Sequence, residues 1–321
     1  KQGKNTALPF AHSMCYTLPY DSRERYAMDK RTAGKLKLIG SMLIWGSLGL
    51  FIRGIDLPSS VIANFRGLLG ATFLLLVMLL GKLPFNRRAV KENALYLAMS
   101  GLMLGFNWIL LFESYRYTTI AVATLCYYLA PIIVVALSPL VFKERLGFFR
   151  IVCVLAALVG MVFVSGAAEG GLPSPGQARG VLLALGAALL YAAIVISNKK
   201  MKNISGLERT VVQLGISALV LLPYNLLTVR GPLPSLELSS LALLLTVGIV
   251  HTGLAYYLYF GCMDVLPSQT VAILAYVDPV TAVLLSALAL KEPMSGGMWL
   301  GSALVLGAAV LLELPVKNKK K

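Results

Sequence analysis

Charge is what this sequence has least of. Asp, Glu, Lys and Arg make up 13% of its 321 residues, about half the share of an ordinary soluble domain. It has two histidines, His12 and His251, and no HExxH, which excludes the zinc-protease helix. It has no GxGD, and Asp278 has no obvious in-membrane partner carboxylate except the peripheral Glu113. The shared-proton dyad of an aspartyl intramembrane protease is therefore missing. No GxxxxGK[ST] loop is present, so ATP-driven work would need a separate subunit, and none is implied. The four cysteines, Cys15, Cys126, Cys153 and Cys262, form no CxxC pair. They read as small packing residues, not as a disulfide frame or a metal site. Neither a cofactor nor a metal is expected.

What fills the space left by charge is apolar: 58% of the residues, with a mean hydropathy of +0.78. A water-soluble globule of this size cannot hide that much apolar surface. The apolar residues fall into ten blocks, roughly 36–53, 58–80, 94–114, 118–141, 147–166, 178–197, 207–228, 239–260, 266–290 and 296–314. Each is near the roughly 20 residues that span a bilayer as a helix. Leu, Ala, Val and Gly dominate them without the alternation of a barrel strand. The expectation is an all-α integral membrane protein with ten transmembrane helices, whose partners are the lipid bilayer and a small-molecule substrate.

The net charge of +15 resolves once the basic residues are placed. If the N-terminus lies inside, the inner connections hold Lys30, Arg31, Lys35, Lys37, Lys82, Arg87, Arg88, Lys91, Lys143, Arg145, Arg150, Lys199, Lys200, Lys202 and Arg209. The tail adds Lys317, Lys319, Lys320 and Lys321. The outer connections hold only Arg53, Arg116, Arg179, Arg230 and Lys291. This asymmetry predicts a multi-pass protein of the plasma membrane with both termini cytoplasmic. No basic stripe is left over, so nucleic acid is not a partner, and the oligomeric state is not encoded in any readable pattern. Residues 1–27 are polar and precede Met28-Asp29-Lys30-Arg31. They read as a disordered N-terminal extension, native or foreign to the protein, with no signal-peptide core.

The chain also repeats itself at a shift near 148 residues. Gly105–Phe112 aligns with Gly253–Phe260, Ala130-Pro131 with Asp278-Pro279, and Lys143-Glu144 with Lys291-Glu292. Five spans per half is an odd number, so the second half must enter from the opposite side. The result is two inverted five-helix repeats, 28–166 and 167–321, with a solute site expected between them near mid-bilayer.

Several motifs carry a resemblance. They are Trp45-Gly46-Ser47, Asn64-Phe65-Arg66, Thr118–Ala123 followed by Leu129-Ala130-Pro131 and Lys143-Glu144-Arg145, and the second copy Ser268-Gln269-Thr270, Asp278-Pro279, Lys291-Glu292-Pro293. Over roughly residues 33–314 the sequence resembles the drug/metabolite transporter superfamily, EamA type. The resemblance implies a secondary-active exporter of amino acids or related metabolites working by alternating access, and not an enzyme. Asp278 departs from it, because that position is more often apolar in such sequences.

Polar residues inside a span are costly and need a reason. Arg66 either meets a substrate carboxylate or snorkels and pairs internally. Asn64 lies about 200° away from it; with Arg66 and His251 it is expected among the substrate contacts. Glu113 could pair with Arg66 or Arg116. His251 and Asp278 sit near the centres of blocks eight and nine. One reading makes Asp278, with His251, a proton-coupling pair. The other satisfies His251 with a carbonyl and Asp278 with backbone that Pro279 disrupts. Trp45, Trp108, Tyr127, Tyr128, Tyr191, Tyr256, Tyr257 and Tyr276 lie mostly near mid-span rather than in an interfacial belt, and are expected in part to line a cavity. Asn107 and Gln213 offer amides to the same substrate site. Pro131 and Pro279 read as matched hinges. Gly101/Gly105 and Gly297/Gly301 read as close-packing pairs. An aromatic cavity also suits drugs, sugars or nucleosides, so the substrate stays open within that range. An intramembrane enzyme and a passive channel are the competing classes. The first lacks its motifs, and the second lacks a visible filter.

Overall fold

Runs of Leu, Ala, Val and Gly placed in lipid must satisfy every backbone group internally, and a helix does so within one segment. The computed structural model describes residues 20–142, 147–164, 174–230, 237–263, 265–266 and 268–313, and every regular element in it is helical. The helices are α1 (Tyr20–Arg53), α2 (Ser59–Leu80), α3 (Arg87–Glu92), α4 (Ala94–Ser114), α5 (Ile120–Tyr127), α6 (Ala130–Phe142) and α7 (Phe148–Val164). They continue with α8 (Pro175–Lys200), α9 (Gly206–Thr228), α10 (Leu238–Gly248), α11 (Ala255–Met263), α12 (Ser268–Ala275), α13 (Val277–Leu288) and α14 (Gly296–Glu313). A π-helical turn, Ile249–Leu254, joins α10 to α11.

These elements build ten spans. Spans 1, 2 and 3 are α1, α2 and α4, and span 4 is α5 with α6. Spans 5, 6 and 7 are α7, α8 and α9. Span 8 is α10, the π turn and α11, span 9 is α12 with α13, and span 10 is α14. Seven are long and apolar enough to cross a membrane, and the other three rest on the shorter apolar stretches Ile151–Val164, Val277–Leu288 and Gly296–Leu311.

Two features depart from the sequence reading. Helix α1 starts at Tyr20, upstream of the apolar block and inside the segment expected to be disordered. Its polar first turns hold no helix breaker, and hydropathy marks only the membrane-embedded part. Residues 1–19 and the Lys143-Glu144-Arg145 motif lie outside the described residues. The small helix α3 is an addition, capped by the Asn86 side chain accepting from the Ala89 amide at 3.0 Å.

Packing shows the repeat, and five spans per half make it an inverted one. Span 5 packs on span 10, span 2 on span 7, and span 4 on span 9. Span 3 against span 6 is matched by span 8 against span 1, and span 4 against span 6 by span 9 against span 1. Exchanging each span with the one five later leaves these pairs unchanged. Polarity is turned inside out relative to a soluble protein. Leu80, Leu182, Leu219 and Leu226 are exposed, while Ser41, Asn107, Ser217 and Thr252 are fully buried. That is the distribution a lipid solvent imposes.

Glycine sets the closest approaches. Gly101 and Gly105 face Ile216, Ser217 and Leu221 of span 7, and a Cβ on Gly301 would fall 2.6 Å from the Gly160 carbonyl oxygen. Backbone cannot yield as a side-chain tip can. Gly301→Leu is therefore expected to destabilise the span 5–span 10 pair by at least about 1–3 kcal/mol, the usual cost of overpacking. The thermal midpoint in detergent, followed by size-exclusion elution, should drop. Gly307→Leu, where a Cβ meets nothing within 4 Å, should leave it near the parent value.

Candidate functional site

The site begins with the two prolines. Thr119 opens α5 by accepting from the Val122 amide at 3.1 Å, and the helix runs only to Tyr127. Pro131 has no N–H to give the Tyr127 carbonyl, so span 4 breaks at Tyr128–Leu129 and restarts as α6. Pro279 likewise leaves the Ala275 carbonyl without its partner, and span 9 breaks at Tyr276. Each proline thus sits in the first turn of the resumed helix, where a missing N–H costs least.

Between the breaks lies a cavity of about 310 Å³. Its wall includes Trp45, Gly46 and Gly49 from span 1, Trp108 and Leu111 from span 3, and Tyr127, Tyr128 and Pro131 from span 4. Tyr191 comes from span 6, Tyr256 and Tyr259 from span 8, Tyr276 and Asp278 from span 9, and Arg66 from span 2. The aromatic rings brace one another: Trp45 meets Tyr256 edge-on at 5.0 Å, Tyr127 meets Tyr191 at 5.3 Å, and Tyr128 meets Tyr276 at 6.4 Å. Such rings give an apolar lining with hydroxyls at its edge.

Two charged side chains enter this wall. Asp278 accepts a hydrogen bond from the Tyr128 hydroxyl through Oδ2. Arg66 is 4% exposed. Its guanidinium lies over the Trp108 ring at 4.2 Å and near that of Phe112 at 5.6 Å, and its Nε donates to Thr252 Oγ1 at 2.8 Å. Among the described residues no carboxylate comes within ion-pair distance of Arg66, and Arg66 and Asp278 do not bridge each other.

Four sequence candidates for substrate contact do not line the cavity. Asn64 donates to the Ala218 carbonyl at 2.6 Å, and Gln213 to Ser100 Oγ at 2.6 Å and Asn198 Oδ1 at 2.8 Å. Asn107 donates to the Ala187 carbonyl at 2.6 Å, while its Oδ1 accepts from the Tyr127 hydroxyl at 3.4 Å, one layer behind the wall. His251 sits in the π turn, its Nε2 3.1 Å from Ser47 Oγ and its ring 4.5 Å from Phe51. The physical reason is common to all four: a buried amide or imidazole is held by the nearest backbone or side-chain group. Tyr257 faces outward, 46% exposed. Glu113 takes Ser59 Oγ at 2.7 Å and Arg116 at 3.7 Å, not Arg66.

Beside the cavity, span 1 and the connections after spans 3 and 9 are tied together by Arg53 and Glu292, which the sequence marks only as a connection charge and a repeat motif. Arg53, closing span 1, bonds the Tyr115 carbonyl at 3.1 Å and the Thr118 carbonyl at 2.9 Å, and pairs with Glu292. Glu292 also accepts from Ser286 Oγ and from the Ile120 amide at 3.0 Å, so a carboxylate of the second repeat caps a helix of the first. Lys291 adopts a left-handed backbone, φ 53°, which swings Glu292 back over the bundle. Tyr115 lies at the partition, lining both the central cavity and a second one of about 470 Å³ beside Arg53 and Arg116.

The family model for the EamA-like transporter family matches residues 32–166 and again residues 178–314. The chain belongs to the EamA-like transporter family. The two EamA-like matches fall one on each five-span half. An uncharacterized transporter of Bacillus subtilis, YxxF, is 27% identical over 256 residues, covering 80% of this chain and 81% of its own length. An uncharacterized transporter of Archaeoglobus fulgidus is 25% identical over 283 residues, covering 87% of this chain and 95% of its own. A solved crystal structure shares the fold with a TM-score of 0.60 at 21% identity, covering 88% of this chain and 97% of its own. As an EamA-like protein the chain is a multi-pass membrane transporter.

Proposed function

We propose that this transporter exports amino acids and related small zwitterions across the plasma membrane by alternating access, driven by proton return through Asp278. The observation that carries the reading is a cavity whose wall holds both Arg66 and Asp278, neither of them salt-bridged to an opposite charge among the described residues. A buried guanidinium is complementary to a carboxylate, and Asp278 is complementary to an ammonium group or a proton. An aromatic wall alone suits drugs, sugars and nucleosides as well; the paired opposite charges favour the zwitterion. The excess of Lys and Arg in the connections on the terminal side supports cytoplasmic termini, which puts the Arg53–Glu292 tie on the outer face.

The test is purified protein in liposomes loaded at acid pH inside. Uptake of a panel of amino acids is measured beside sugars, nucleosides and cationic dyes. Saturable amino-acid uptake that speeds up with the inside-acid gradient is expected. Flux of a sugar or a dye with no amino-acid flux would replace the substrate class, and no flux of any solute would reject the reading.

A further inference from the structure

We propose that the π-helical turn of span 8 is a positioning device for Arg66. Thr252 is its positioning residue, and the specificity it confers is for solutes bearing a carboxylate. The proposal rests on the zwitterion reading for its solute, but the geometry of Arg66 is independent of it.

Thr252 is fully buried. Its hydroxyl donates to the Val247 carbonyl, five residues back, at 3.0 Å. In an ordinary helix a threonine reaches back three or four residues, so this bond exists because the turn is π-helical. A hydroxyl has one proton. With that proton committed to Val247, the oxygen can only accept, and it accepts from Arg66 Nε at 2.8 Å.

That single bond fixes more than one atom. A guanidinium is a rigid planar fork. The direction of Nε is set by Thr252, and the plane is set by Trp108 stacked at 4.2 Å. Of the four Nη–H groups, one runs parallel to Nε–H on the Thr252 side and the other three lie along the remaining edges of the fork, and among the described residues the one hydrogen bond found for Arg66 is that of Nε. Arg66 itself lines the cavity, so those three are the donors it can present there.

The backbone is arranged to let so short a side chain reach. A Cβ on Gly70 would fall 2.4 Å from Thr252 Cγ2, one on Gly248 2.5 Å from Leu69, and one on Gly253 2.5 Å from Phe73. Three glycines thus bring span 2 and the π turn to near backbone contact. The same turn reaches span 1, where Trp45 Nε1 donates to the His251 carbonyl at 2.9 Å. A π turn inside an otherwise regular span is a frequent mark of a functional position.

The test compares Thr252→Val, which keeps the shape and loses the hydroxyl, with Thr252→Ser, which keeps the hydroxyl. In proteoliposomes, Thr252→Val should raise the KM for L-leucine about tenfold with Vmax within about twofold, and Thr252→Ser should match the parent. Inhibition by isopentylamine, which is leucine without its carboxylate, should not change. Equal loss toward leucine and isopentylamine, or an unchanged leucine KM in Thr252→Val, overturns the proposal. A second readout needs no solute. In ¹⁵N-arginine-labelled protein, the Arg66 Nε–H resonance, assigned by its loss in Arg66→Lys, should exchange with solvent at least tenfold faster in Thr252→Val but not in Thr252→Ser. Unchanged exchange in Thr252→Val overturns the positioning role even if leucine is not a substrate, whereas absence of leucine transport in the parent protein overturns only the amino-acid reading.

Discussion

Arg66→Gln is expected to cut amino-acid uptake by at least roughly 30-fold while the protein still elutes as a folded species. Removing one partner of a buried, hydrogen-bonded charge pair costs about 2–5 kcal/mol, which is roughly 30-fold to several thousand-fold in affinity. Glutamine keeps a donor within reach of Thr252 and keeps part of the stem against Trp108, so the loss falls on the charge rather than on packing. Lysine should not rescue it. An ammonium is a point charge without the flat face that lies over Trp108 at 4.2 Å or the fork that Nε anchors. The structural cost runs the other way from the usual salt bridge. Among the described residues no carboxylate is salt-bridged to Arg66, so none is stranded by its loss, and an arginine at mid-span is itself unfavourable by about 2.5–3.5 kcal/mol on insertion scales. A thermal midpoint at or above the parent value, with uptake lost, would separate a binding role from a folding role. Unchanged uptake in Arg66→Gln would remove Arg66 from the substrate site.

The fold was legible because lipid imposes a coarse rule: about twenty apolar residues per span, broken by charge or turn residues. Nearly every helix boundary falls within a few residues of its block, and the odd number of spans per repeat was enough to predict the inversion. Prolines 131 and 279 announced the breaks in spans 4 and 9 for a purely local reason, the missing N–H. The cavity lining was legible only in its aromatic residues and its two charges, which are anomalies in an apolar stretch. What stayed hidden depends on register. The π turn at Ile249–Leu254 inserts no unusual residue, and Ile-Val-His-Thr-Gly-Leu reads as ordinary helix. Without it, Thr252 has no reason to meet Arg66, 186 residues away in sequence. The same holds for Glu292. As half of a Lys-Glu pair it reads as a loop anchor, and only the left-handed Lys291 turns it onto the Ile120 amide and Arg53. Asn64, Asn107 and Gln213 show the converse. A polar residue in a span attracts attention, yet here a helix carbonyl or a neighbouring side chain holds each of these amides away from the cavity lining.

Asp278→Asn is the sharper test of energy coupling, because it changes charge with almost no change of shape. The Tyr128 hydroxyl donates to Asp278 Oδ2, and a carboxamide oxygen can accept the same bond. The break before Pro279 and the packing of the Asp278 carbonyl against Gly46 depend on backbone alone. What the variant loses is a group that can take and release a proton. In proteoliposomes with acid inside, a proton leaving through the parent protein draws solute in. The gradient-driven part of leucine uptake should therefore vanish in Asp278→Asn, leaving a rate that is the same with and without the gradient. Solute exchange at equal pH need not fall to zero, since exchange requires the cavity to change sides loaded and does not require a proton to move. Tyr128→Phe should show a different pattern: the carboxylate remains, so gradient stimulation persists, with its pH dependence displaced. His251→Gln should keep the gradient effect, because His251 lies in the π turn against Ser47 and Phe51 and does not line the cavity. Full gradient-driven uptake by Asp278→Asn would end the proton-coupling proposal and leave Asp278 as a contact for the solute alone.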